Sequence, residues 1–161
     1  MKSISPNIIA LQTKYVVGFS QEMSLAENKT FELWQRFRAQ SKEITNRSSS
    51  DFISLQEYPQ NYFQEFSPIK KFTKWACVEV SDALVIPDKM SSLIIPKGLY
   101  AVFNYVGTPA DPGIFQYIYG EWVPNSDYRL DDRPHFEVLG DKYKPNDPTS
   151  EEEIWIPITT K

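Results

Sequence analysis

One cysteine, one histidine and six glycines in 161 residues leave little room for several chemistries. A single thiol permits no disulfide within the chain, and a reducing compartment is the simplest expectation. Cys77 lies in the apolar run Trp75-Ala76-Cys77-Val78, which suits a buried structural thiol rather than a reactive one. His135 stands beside Pro134 with no second histidine and no nearby cysteine, so the usual zinc ligand sets cannot be assembled, and a surface or capping role is expected of it. Scarce glycine argues against phosphate-cradling loops, and no G-x-S-x-G elbow is present. The acidic runs Asp131-Asp132 and Glu151-Glu152-Glu153 lack calcium-loop spacing and read as solvated loops at strand ends. No metal and no cofactor is expected. Positive charge is short as well: 17 Lys and Arg against 21 Asp and Glu give a net charge of -4, which does not suit direct binding of nucleic acid. Nowhere do about 18 apolar residues run uninterrupted, and the opening MKSISPNIIALQTKYVV has neither a long apolar region nor a cleavage site. The chain is therefore expected to be soluble and cytoplasmic, with no membrane partner.

What is abundant is aromatic: 14% of residues, with nine Tyr and four Trp, against ordinary hydrophobic and charged fractions of 41% and 24%. Such an excess builds cores and also ligand pockets. The length suits one compact domain over residues 1–161. Ile8 to Phe19 reads as a strand; Phe31, Trp34, Phe37 and Arg38 fall at helical spacing behind an N-cap at Asn28 or Thr30; Asp51–Tyr58 and Phe72–Val80 read as strands. After the turn at Pro87-Asp88-Lys89 the order restarts. Ser92–Tyr105 is rich in β-formers, Ile114, Phe115, Ile118 and Tyr119 form a helical face, and Arg133–Asp141 and Glu152–Thr159 are strands.

The fold class is accordingly α+β, with a β-α-β-β unit duplicated, the first over about 1–86 and the second over about 87–161. Tyr15-Val16-Val17 answers Tyr100-Ala101-Val102, Leu33-Trp34 answers Ile114-Phe115, and Asp51–Leu55 answers His135–Leu139, at separations of about 80 to 85 residues. Two such units packed about a pseudo-two-fold leave a central groove between them, a favoured place for a small molecule. No second acid in the first unit answers Glu137, so paired-carboxylate chemistry at symmetric positions is not expected.

Three segments carry a resemblance. They are Ile95-Pro96-Lys97-Gly98-Leu99-Tyr100-Ala101-Val102-Phe103, then Ile114–Trp122 followed by Val123-Pro124-Asn125-Ser126, and Arg133-Pro134-His135-Phe136-Glu137-Val138-Leu139. With the closing Glu153-Ile154-Trp155-Ile156-Pro157-Ile158 they give W-x-P-x-S, P-x-F-E and E-[IVL]-x-I-P-[ILV] in that order. The chain resembles the GyrI-like small-molecule-binding domain, the effector-binding domain of AraC-type and MerR-type transcription regulators. The resemblance implies a duplicated β-α-β-β fold around an aromatic pocket whose floor acid is Glu137. It also implies binding of bulky, hydrophobic, often cationic or amphipathic compounds, as sensor, sink or multidrug binder. Two alternatives come with it: a cyclopropanoid-type hydrolase using the pocket Glu and Tyr, and a partner-binding inhibitor of the topoisomerase-inhibitor type. No helix-turn-helix is legible in the chain, so transcription regulation by this chain alone is not expected; a protein partner or homodimer remains open.

The candidate ligand-binding residues are Glu137, Trp75, Trp122, Tyr105, Tyr119, Phe115, Tyr58 and Phe19; if the chain is an enzyme, the catalytic set is Glu137, Tyr105 and Tyr119. Phe136 and Val138 point opposite to Glu137 on an alternating strand, so Glu137 enters the groove if those two face the covering helix. Trp75 and Trp122 are placed on the walls. Tyr117 offers a further phenol, and Glu79, on the Trp75 and Cys77 face, reads as a salt-bridged strand-end acid rather than a second pocket carboxylate.

Overall fold

Apolar residues in this chain recur with period two more often than with period 3.6, and strands dominate accordingly. A computed structural model describes residues 4–161 and builds them into a nine-stranded antiparallel sheet with two main helices. The expected first strand is two, β1 (Asn7–Leu11) and β2 (Lys14–Ser24). They part because β1 pairs with β6 (Gly98–Val106), whereas β2 pairs with β4 (Lys71–Val80) and β5 (Ser91–Ile95) on the far side of the sheet.

Helix α1 (Thr30–Gln40) follows. Its N-cap position is Lys29, and Asn28 instead closes a turn, its Oδ1 accepting from the Thr30 amide at 3.0 Å and the Thr30 hydroxyl at 2.6 Å. Leu33 and Phe37 form its buried stripe with Trp34 half-buried, while Phe31, expected on that stripe, is 74% exposed. After β3 (Phe52–Glu57) and β4, β5 and β6, helix α2 (Gly113–Tyr117) widens into a π turn (Ile118–Trp122) and ends in one α turn (Val123–Asn125). Ile114 and Ile118 are its buried anchors. The short β7 (Tyr128–Leu130), unanticipated from the sequence, pairs with β9 (Glu151–Thr160); β8 (His135–Leu139) lies between β9 and β3.

The strand order is β1-β6-β9-β8-β3-β4-β2-β5. Exchange β1 with β5, β2 with β6, β3 with β8 and β4 with β9, and the order reads the same from the other edge. Both helices lie on one face. Leu33 and Phe37 of α1 pack on Val17, Phe19 and Met23 of β2 and Ala76 and Val78 of β4, while Ile114 and Ile118 pack on Ala101 and Phe103 of β6 and Ile154, Ile156 and Ile158 of β9. The opposite face closes on its own core of Val16, Ile53, Leu55, Trp75, Cys77, Tyr100, Val102 and Phe136. No described helix is long and apolar enough to cross a membrane.

Gly18 sits in β2 opposite both Cys77 of β4 and Ser91 of β5, where the chains come so close that a Cβ would overlap the Ala76 carbonyl and the Cys77 Cα at 2.7 Å. The backbone here cannot yield without moving β2 against β4. Gly18→Ala is therefore expected to cost about 3 kcal/mol, lowering the thermal midpoint by about 10 °C. A melting curve superimposable on the wild type would contradict that packing.

Candidate functional site

Because α1 lies over β2 and β4 and α2 over β6 and β9, the central strands β3 and β8 run between the helices. Their pairing sets which side chains enter that gap. In the β3–β8 register Ser54 faces Glu137 and Gln56 faces His135; Gln56 faces Lys74 on β4, and Glu137 faces Ile154 on β9. Side chains alternate, so Ser54, Gln56, Lys74, His135, Glu137 and Glu152 all fall on the helix face. Phe136 and Val138 take the other face, where Phe136 stacks on Trp155 at 5.3 Å and 14° and lies 5.4 Å from Tyr100. The segment entering β8 is pinned as well: the Tyr100 hydroxyl donates to the Pro134 carbonyl at 2.7 Å, and Arg133 donates to the carbonyls of Leu99 and Ile158 while pairing with Asp131 at 2.7 Å.

Aromatic rings close over this polar floor. The connection between β3 and β4 folds back, burying Tyr62 and laying Phe63 on Tyr119 at 4.7 Å and 27° and on the His135 ring at 5.5 Å and 23°. Tyr58 stands edge-on to His135 at 4.8 Å and contacts Tyr62 at 4.6 Å and Phe72 at 5.4 Å. Tyr119, in the π turn, hydrogen-bonds His135 Nδ1 at 2.8 Å. Two surface depressions lie elsewhere, one walled by Met23, Ala26 and Ile69 and one by Phe19, Arg36 and Lys89; neither reaches Glu137.

Burial governs the electrostatics. Glu137 is 7% exposed, and Gln56 Nε2 donates to its Oε1 at 3.2 Å. Desolvation holds its pKa above the ordinary carboxylate value, opposed by the positive charge of Lys74 and by hydrogen bonds from Gln56 and Ser54. Lys74 is pushed down by burial, opposed by Glu137 and Glu152. Glu152 is pushed up to about 7 by burial and then by Glu137, with Lys74 opposing. Burial and the Glu137 charge raise the Tyr58 and Tyr119 phenols, so both stay protonated. His135 is depressed to about 3 by burial and by Arg133, which leaves a neutral ring able to stack. The arrangement is a desolvated negative site under aromatic faces, able to hold a cation or to present a protonated acid. Among the described residues no group of three or more His, Cys, Asp and Glu is arranged to hold a metal.

The model of the GyrI-like small molecule binding domain matches residues 5–159. The chain belongs to this family. No curated protein matches it. Its fold is shared with SAV2435 bound to tetraphenylphosphonium, at 16% identity and a TM-score of 0.71 over 97% of this chain and 94% of that one. EcmrR in its DNA complex gives 13% identity and a TM-score of 0.72 over 96% of this chain and 57% of that one. A hydrolase encoded by lin2189 of Listeria innocua gives 12% identity and a TM-score of 0.60 over 96% and 92%.

Within this GyrI-like domain the eight expected ligand residues separate. Glu137, Tyr58 and Tyr119 meet at the floor and rings just described. Trp75 does not: it lies on the opposite face, 6% exposed in the core, its indole N–H donating to Glu57 Oε1 at 2.7 Å. Phe19 is buried under α1 against Phe37. Trp122 packs on Phe103 and Tyr128 and Phe115 on the same α2 core. The Tyr105 hydroxyl turns away to the Thr108 carbonyl at 2.9 Å, and the Tyr117 hydroxyl bonds the Ile4 carbonyl at 3.3 Å. Glu79 is paired with Lys14 at 3.0 Å. The condition set for Glu137 is reversed, since Phe136 and Val138 face the core and Glu137 itself shares the helix face. His135, expected at the surface or in a cap, is 3% exposed and central. Glu152, expected in a solvated loop at a strand end, is the second residue of β9 and half-buried on the helix face, so a second acid is present although not at a symmetric position. Gln56, Lys74, Tyr62 and Phe63 were not anticipated; period two from Glu137 across the paired strands would have found the first two.

His135 offers a test by pH. Its folded pKa of about 3 lies below the unfolded value of 6.5, so the unfolded chain binds the proton first and the neutral ring's contribution is lost as pH falls from 6.5 toward 3. The raised carboxylates act in the opposite sense, so the comparison is made with His135→Gln, which keeps them. The stability advantage of wild type over His135→Gln, from urea unfolding, is expected to shrink by about 2 kcal/mol between about pH 7 and pH 5. A constant advantage would mean that the imidazole is not held neutral.

Proposed function

We propose that this GyrI-like domain binds a small hydrophobic cation between its two helices, with Glu137 as countercharge and the rings of Tyr58, Phe63 and Tyr119 as walls, serving as a ligand sensor or sink. The observation that carries this reading is the placement of Glu137: a carboxylate at the centre of the sheet, desolvated, half-answered by one lysine and overlaid by aromatic faces. Desolvation strengthens its attraction for a cation, and each ring face adds about 0.5 to 2 kcal/mol. The tetraphenylphosphonium held by SAV2435 is a cation of this kind and supplies the probe. Glu137→Gln is expected to weaken binding of tetraphenylphosphonium by at least about thirtyfold, or ~2 kcal/mol. The exposed Glu43→Gln is expected to leave the affinity as it is. Equal affinities of Glu137→Gln and wild type, by fluorescence or calorimetric titration, would place any binding elsewhere.

Entry requires the rings to part, and the connection bearing Tyr62 and Phe63 is the movable cover. Phe63 is 38% exposed and packs on the rings of Tyr58, Tyr62, Tyr119 and His135. In stopped-flow mixing, Phe63→Ala is expected to raise the association rate several-fold while the need for Glu137 persists. An unchanged rate would assign the gate to another segment.

One observation also favours a hydrolase: a carboxyl with a raised pKa can act as a general acid, and Glu137 lies among protonated phenols. Of the expected catalytic tyrosines, Tyr119 hydrogen-bonds His135, two residues from Glu137 on the same face of β8, whereas Tyr105 is turned away. Ring-opened product from an electrophilic cyclopropane, lost in Glu137→Gln, would establish turnover; binding without product would leave the carrier reading alone. No observation favours the partner-inhibitor alternative.

A further inference from the structure

Glu137 and Glu152 lie on adjacent antiparallel strands and on the same face, two residues out of register, since Glu137 faces Ile154. Such diagonal neighbours stand about 7 to 8 Å apart, within reach of two flexible carboxylates. Charged and titratable groups reach Glu152 from several elements. From β8 comes Glu137, from β4 Lys74, and from the chain just before β9 the phenol of Tyr143, which also senses Arg38 of α1. From β6 comes Tyr105, directly opposite Glu152 and itself next to Asp111. The neighbouring Glu151 turns to the other side and pairs with Lys142 at 3.7 Å. Two carboxylates thus share one lysine in a desolvated place, and the phenols stay neutral. Charge balance leaves the pair holding one proton. Gln56 and Ser54 favour the ionised form of Glu137, and no hydrogen bond does so for Glu152.

We infer that the groove takes up its cation in exchange for a proton: the guest supplies the second positive charge, both carboxylates ionise, and Glu152 gives its proton to solvent. This rests on the cation-binding reading above and deepens it. Affinity then depends on pH with a definite sign. Below the Glu152 midpoint of about 7 the proton competes with the guest, so affinity climbs by up to about tenfold per pH unit and levels off above it. Acid would empty the groove.

The test is calorimetric titration of tetraphenylphosphonium into the full chain at about pH 6 in two buffers of different ionisation enthalpy, repeated with Glu152→Gln. Wild type is expected to release about one proton per bound cation. Glu152→Gln is expected to bind with release near zero and an affinity flat in pH. A purely structural role for Glu152 would change the affinity without changing the proton count. Binding with no proton release in wild type, or with equal release in wild type and Glu152→Gln, overturns the exchange and leaves the cation site standing. No binding, or binding that Glu137→Gln does not alter, overturns the site itself. The shared proton is then decided without ligand, by carbon NMR titration of the glutamate carboxyls. One resonance titrating near 7 and absent in Glu152→Gln is expected, and its midpoint should rise in Lys74→Met. Ordinary midpoints for every carboxyl would sink the inference.

Discussion

The site depends on the register of one pair of strands, β3 against β8. With Ser54 opposite Glu137, the acid enters the gap between the helices and Phe136 enters the core on the far side. A slip of one residue would exchange them. Phe136 would leave its stack with Trp155 and Tyr100, forfeiting about 2 to 3 kcal/mol of apolar burial, and Glu137 would be driven into the apolar cluster on the far face, away from Lys74, Gln56 and Ser54. Both costs act in the same direction. The pinning of the preceding turn through the Tyr100 hydroxyl and the Arg133 fork adds a third, because neither contact survives a shift of Pro134. The position of the acid is therefore over-determined by groups that never touch the groove.

Once the acid is fixed, the empty groove has to be stable with it there. A single lysine, hydrogen bonds from Gln56 and Ser54 and a retained proton share that task, and the rings of Tyr58, Tyr62, Phe63 and Tyr119 close over it by packing on one another and on His135. The neutrality of His135 matters to this closure. A charged imidazole would be desolvated and repelled by Arg133, while the neutral ring stacks with Phe63 and hydrogen-bonds Tyr119. Each aromatic pair contributes about 0.5 to 1.5 kcal/mol, so the four rings that Phe63 meets hold it by about 2 to 6 kcal/mol, less than the ~8 kcal/mol of a micromolar guest.

How much of this could be read from the chain follows from the range of each cause. The alternation of Phe136, Glu137 and Val138 is local, and so are the strands and both helices, with errors where a partner decides: the break at Gln12-Thr13 exists because two halves of one run pair with opposite sides of the sheet. Which face carries the helices is not local, and that is why Trp75, expected on a wall, lies on the other face. Glu152 was hidden by its neighbours. Three consecutive acids look like a solvated run, yet period two turns only the middle one inward once the run begins a strand. With zinc chemistry excluded, a lone histidine beside a proline reads as a surface or capping residue, whereas His135 is buried as a neutral aromatic ring. Tyr62 and Phe63 lie in an irregular connection, and the rings they meet are remote in sequence, so no periodicity marks them.

The aromatic excess that first distinguishes this chain also divides along the sheet. On the core face Trp75 and Trp155 direct their indole N–H groups to Glu57 and Glu153 at 2.7 and 3.1 Å, so the polar edges are satisfied and the rings serve packing. On the groove face the rings border two buried acids that share one lysine. Ring count alone would weigh both faces alike; the buried acids distinguish them. Since Phe136 and Glu137 are adjacent on one strand and anchor opposite faces, loosening the core must also loosen the aim of the acid. Stability and binding in this fold are set by the same backbone, and substitutions in the Phe136 stack act on the groove without facing it.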